Sequence, residues 1–237
     1  MEDQDLRATF HNDIETLRNE VARLGASVIE LIPRVTDILL GSDLEGAEYV
    51  LRGDRDIDDR SLEIEHQALS LLATQAPVAA DLRQVASIIK LAPEIERSAD
   101  LCCNICKAAR RVYGHDLDPK LRGGIQRMSD QAHQEYREAI EAYLGNDPVR
   151  AAALRDMDDY LDGLHAQFIS QIFESHAGGT IDLQVAVQMA VVARFYERLG
   201  DHAVNISQRV VYIATGTLPE HDTATRRLEA EEAQQPG

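Results

Sequence analysis

From Phe10 onward, apolar residues return at alternating spacings of four and three: Phe10, Ile14, Leu17, Val21, Leu24, Val28, Leu31, Val35 and Ile38. That repeat lays an apolar stripe along one long helix packed against near-parallel neighbours. Pro33 falls inside the stripe and is expected to kink the helix or tighten its last turns. Gly41-Ser42-Asp43 ends it, with Ser42 or Asp43 capping the second helix. The pattern predicts five further helices, over about 44–72, 81–112, 121–145, 147–175 and 181–215. Ala76-Pro77-Val78-Ala79-Ala80, Gly114 with Gly123-Gly124, Asn146-Asp147-Pro148 and Gly178-Gly179 mark the breaks between them.

The second half repeats the first about one hundred residues later. Arg55-Asp56-Ile57-Asp58-Asp59 returns as Arg155-Asp156-Met157-Asp158-Asp159, and Asp81-Leu82 as Asp182-Leu183. Glu96, Asp100, Asn104 and Ile105 return with unchanged spacing as Glu197, Asp201, Asn205 and Ile206. The expected fold is all-α: six helices as two tandem, pseudo-symmetric antiparallel three-helix bundles. The expected units are 8–114 and 119–216, followed by a flexible acidic tail over 217–237.

The buried seam of the sixth helix is Met189, Val192, Tyr196, Leu199, Ala203, Ile206, Val210 and Ile213. That of the third is Ile88, Leu91, Ile95, Ser98, Cys102, Ile105, Ala109 and Val112. In this register Glu96, Asp100 and Asn104 stack at i, i+4, i+8 on the outward face, as do Glu197, Asp201 and Asn205. Carboxylates one turn apart repel unless a cation lies between them. Carboxylate and amide oxygens suit Mg, Mn or Fe, with Zn also possible. Asp58 and Asp158, one helix back, are placed to approach the same metals. The competing reading is an ordinary solvated acidic face with Arg97 and Arg198 as partners. Both stand at this point.

Composition removes several function classes. The net charge is −17, with 24 Lys and Arg against 41 Asp and Glu, which disfavours nucleic acid and anionic lipid and argues against direct phosphate binding. No stretch approaches the ~20 apolar residues of a membrane span, so direct membrane insertion is not expected. The acidic N-terminus reads as no signal peptide, and the expected location is cytoplasmic. Cys102, Cys103 and Cys106 form no CxxC pair and read as apolar filler. Glu63-x-x-His66 matches one half-motif of a ferritin-like, carboxylate-bridged metal oxidase but has no repeat-related partner. A spectrin-like structural array is the other alternative, weakened by the absence of Trp. No nucleotide loop, nucleophile elbow or catalytic residue is found, and the expectation is that the chain is not an enzyme.

Two elements together resemble one family: the Glu-x-x-x-Asp motif once per bundle, at Glu96/Asp100 and Glu197/Asp201, and the loop Gln75-Ala76-Pro77-Val78-Ala79-Ala80-Asp81-Leu82-Arg83. The chain resembles PhoU over roughly residues 8–216. That resemblance implies a negative regulator of the phosphate-starvation response. It would link the ATPase subunit of a high-affinity phosphate ABC transporter to a membrane sensor histidine kinase, with homodimers common. It also implies iron or zinc on the Glu-x-x-x-Asp faces, which makes Glu96, Asp100, Glu197 and Asp201 the metal candidates, with Asn104 and Asn205 beside them. Two departures stand out: Pro93 precedes Asp100 by about two turns, and Gly178-Gly179-Thr180 replaces the Pro-Val-Ala loop in the second repeat.

Overall fold

The computed structural model describes residues 2–217, with side chains from Thr9 onward. The expected tail beyond Thr217 lies outside the described residues. Among the described residues there are six long helices, one five-residue helix and no strand. They are α1 (Glu2–Gly41), α2 (Leu44–Gln75), α3 (Ala79–Arg111), α4 (Pro119–Gly145), α5 (Pro148–Ala152), α6 (Leu154–Ala177) and α7 (Leu183–Thr215).

Aspartates start most of them. The side chain of Asp43 accepts the Gly46 amide at 2.9 Å, Asp118 that of Leu121 at 2.9 Å, and Asp182 that of Val185 at 2.8 Å. Each satisfies a first-turn N–H that has no partner within the helix. Pro119 and Pro148 occupy first-turn positions, where their missing N–H costs nothing. Pro33 and Pro93 sit inside α1 and α3, and both helices run through them unbroken.

The expected seams are the observed core, with informative slips. All eight positions named on α3 are buried, as are those on α7 apart from half-buried Ile213. On α1 the stripe steps from Leu31, only partly buried, to Ile32, which is fully buried. A strict 3.5-residue repeat drifts round a 3.6-residue helix, so a long stripe must step sideways once. Gly123 and Gly124 do not break the chain: both lie within α4. A Cβ on Gly124 would stand 2.3 Å from the Phe168 ring, so its bare backbone admits α6. The expected fifth helix is divided at Ala153 into α5 and α6.

α1 and α7 each pack against both α3 and α4, so these four helices form the centre of the molecule. α2 lies outside against α1 and α3, and α6 outside against α4 and α7. The two three-helix units therefore share one continuous apolar core. At its middle the Thr36 hydroxyl meets Ser129 Oγ at 2.6 Å and Tyr196 Oη at 2.6 Å, and donates to Ile32 O at 2.8 Å. The knot ties α1, α4 and α7 at one height.

Candidate functional site: two acidic seams between outer and central helices

The carboxylates of each repeat gather where an outer helix crosses a central one. In the first seam α2 brings Asp54 and Asp58 toward Glu96 and Asp100 of α3. Partial burial pushes Asp58 above the usual carboxylate range, reinforced by Asp54 and Asp100. Glu96 is raised in the same way, by burial and then by Asp100 and Asp58. Asp54 also accepts a hydrogen bond from Cys103 Sγ at 3.1 Å.

In the second seam α6 brings Asp158 and Asp162 toward Glu197 and Asp201 of α7. Burial and the charges of Asp162, Asp201 and Glu197 push Asp158 up to about 6. Glu197 is raised by burial and by Asp201, although Arg194 pairs with it. A fifth carboxyl, which the sequence pattern does not single out, comes from α4. Glu135 is wholly buried and is pushed up to about 8, mainly by burial. Its Oε1 accepts from Gln131 at 2.8 Å, and the same amide also reaches Met157 O at 3.1 Å. A Cβ on Gly200 would lie 2.8 Å from Glu135 Oε2 and 2.7 Å from Asp158 Oδ1. A glycine at 200 is therefore what lets the two carboxyls close in from α4 and α6.

The seams differ from expectation in three ways. Glu197 is buried at 9% exposure rather than facing outward, because α6 covers that face of α7. Both asparagines are engaged apart from their carboxylate rows: Asn104 Oδ1 accepts from Lys107 at 3.1 Å, and Asn205 Nδ2 donates to Glu94 Oε1 at 2.5 Å. Each four-residue step advances about 40° round a helix, so the third member of such a row has turned ~80° from the first. The expected arginine partners are also displaced. Arg97 pairs with Glu94 at 3.7 Å, and Arg194 rather than Arg198 pairs with Glu197.

The donor set is all carboxylate oxygen, which suits a hard cation. Buried oxygens without a hydrogen-bond partner include Glu135 Oε2, Asp158 Oδ1 and Glu197 Oε2, and a positive charge beside them would answer both their burial and their mutual repulsion. The chemistry fits a metal, but as placed no three His, Cys, Asp or Glu among the described residues gather closely enough to hold one. A proton held on Glu135 relieves the second seam at neutral pH, and Asp158 takes one up only as the pH falls to about 6. Elsewhere, Cys102, Cys103 and Cys106 are buried free thiols, and burial raises all three pKa values, that of Cys106 to about 11. Glu63 and His66 both lie exposed on α2, far from the buried setting a di-iron oxidase requires.

Comparison with known proteins agrees with this two-unit architecture. The PhoU domain is matched twice, by residues 21–109 and 125–210. The chain is 34% identical over 219 residues to the phosphate-specific transport system accessory protein PhoU homolog 1 of Mycobacterium leprae, covering 92% of this chain and 98% of that one. In fold it is similar to the crystal structure of PhoU from Pseudomonas aeruginosa, with a TM-score of 0.82 at 23% identity over 88% of this chain and all of the other. The phosphate transport system regulatory protein PhoU from Streptococcus pneumoniae gives 0.81 at 24% identity, covering 88% and 98%. With its domain matched once in each half and a relative this similar along almost the whole length, the chain belongs to the PhoU family.

Proposed function

We propose that this chain is a regulatory accessory protein of a phosphate ABC transporter. It docks on the transporter's ATPase subunit and restrains the phosphate-starvation response through a membrane sensor histidine kinase. The observation that carries this reading is the doubled PhoU domain, together with relatives whose own names are those of phosphate transport accessory proteins. Co-purification tests it: the full chain should retain the ATPase subunit and the kinase. An Asp100→Lys, Asp201→Lys variant should lose at least one of them while keeping its helical content. Retention of both by the variant would take the acidic seams out of the docking role. Self-association as a homodimer belongs to the same proposal, and sedimentation across a concentration series checks it.

The seams supply the binding chemistry in this reading. Their carboxylates accept either a hard cation, which Asp58, Glu96 and Asp100 or Asp158, Glu197 and Asp201 would hold, or a Lys- and Arg-rich segment of a partner. A cation bound there would contribute positive charge that offsets carboxylate repulsion. Metal analysis of tag-free protein separates the two: iron, zinc, manganese or magnesium that disappears in Glu197→Ala, Asp201→Ala assigns the seam to metal. Protein free of metal before and after assigns it to docking.

A further inference from the structure

A polar cleft of about 350 Å³ opens between α3 and α7, lined by Lys90, Glu94 and Arg97 on one side and Asn205, Gln208 and Arg209 on the other. Its size lies within the ~300–1,000 Å³ of small-molecule pockets. Glu94 is the one carboxylate in its lining, and that charge is already engaged. Glu94 Oε1 accepts from His202 Nδ1 at 2.7 Å and from Asn205 Nδ2 at 2.5 Å, and Oε2 lies 3.7 Å from Arg97 Nη1. His202 is itself buried at 7% exposure, so this support is built into the α3–α7 contact.

Among the described residues, Lys90, Gln208 and Arg209 make no ion pair or side-chain hydrogen bond. The cleft thus presents an ammonium, two guanidinium groups and an amide with almost nothing to bind. Three like charges round one opening repel one another until an anion enters, and guanidinium forks match oxyanion geometry. The arrangement is no by-product of the repeat. The equivalents of Lys90, Glu94 and Arg209 in the other half are Val191, Phe195 and Ala108, while Arg97 and Gln208 correspond to Arg198 and Lys107, so the symmetry-related position keeps two cations but has neither the third nor the carboxylate that orders them. The chain's net charge of −17 acts at long range and is screened beyond ~10 Å, whereas these cations act at contact.

We propose that this cleft binds a tetrahedral oxyanion, either inorganic phosphate or the terminal phosphoryl group of a small metabolite, between Lys90, Arg97 and Arg209. The oxyanion class stands on the cleft alone, and the choice of phosphate over other oxyanions rests on the transporter reading. Calorimetric titration of the full chain with inorganic phosphate, ATP and sulfate tests it. Saturable binding of phosphate identifies the free ion, and binding of ATP without phosphate identifies the phosphoryl group of a metabolite. Sulfate binding as tightly as phosphate supports the oxyanion class and removes the selectivity for phosphate. In a Lys90→Gln, Arg209→Gln variant, checked for folding by circular dichroism, affinity should fall about tenfold or more, as expected for lost charge-assisted hydrogen bonds. Asp59→Asn, on the solvent face of α2, should leave it unchanged. No saturable binding of any of the three, or equal binding by the double variant, overturns the proposal. Either result would leave the co-purification test of the transporter reading untouched.

Discussion

Thr36 joins three helices through one hydroxyl, and its replacement by the near-isosteric Val would strip partners from Ser129 and Tyr196 at once. Two buried hydrogen bonds lost at about 0.5–1.5 kcal/mol each come to about 1–3 kcal/mol. Thr36→Val should therefore lower stability by about that much, read as a lower urea midpoint with an unchanged denaturant slope. Glu135 governs a second effect. Its ordinary pKa of 4.5 rises to about 8 in the folded chain, so between those values only the folded state keeps the proton. Stability should fall as pH rises through that window and level off above it. Glu135→Gln, measured in chelator, should flatten the fall, and an unchanged slope would place the proton elsewhere. Asp54 and Asp162 were not singled out in the sequence, although a signal was there: each stands four residues from Asp58 or Asp158 and repeats the spacing of the Glu-x-x-x-Asp motif. Glu135 had no such signal. It stands among core positions such as Ala132, Tyr136 and Ala139, and only the crossing of α4 beneath Gly200 gives it a role.

At the level of the helix, local signals carried most of the information. Aspartate caps, first-turn prolines and apolar stripes placed six long helices, because these interactions lie within a few residues of one another. Asp118 does more than cap α4: its Oδ2 also accepts the Thr180 hydroxyl at 2.9 Å, tying the α6–α7 turn to the start of α4. Asp118→Ala should cost about 1–2 kcal/mol and speed hydrogen exchange at the Leu121 amide, and unaltered exchange there would show that the cap contributes little. The division of α5 from α6 had no local signature. Arg150 Nε is held by Glu138 of α4 at 2.6 Å, and its Nη2 pairs with Glu141. That tertiary attachment holds α5 back against α4 while α6 runs on toward the second seam.

Across the whole molecule, the repeat disclosed two similar units, whereas the shared centre of α1, α3, α4 and α7 emerges only from packing. Apolar stripes show that a helix has a buried face without saying which neighbour covers it. Because a single core runs through both units, residues 2–217 should unfold in one cooperative transition, with calorimetric and van't Hoff enthalpies in agreement. Two resolved transitions would mean that the units melt separately.

The outer position of α2 and α6 gives the molecule a mechanical character. α2 touches only α1 and α3, and α6 touches only α4, α5 and α7 among the described elements. Each is a leaf laid on a four-helix spine, and the acids of leaf and spine push against each other along the crease. A positive group in a crease would act as a clasp, and its departure would leave like charges levering the leaf outward. The creases are not copies: one has an extra buried acid from the spine and a glycine where the other has Ala99. A chain built this way carries two differently tuned charge clusters on one shared core.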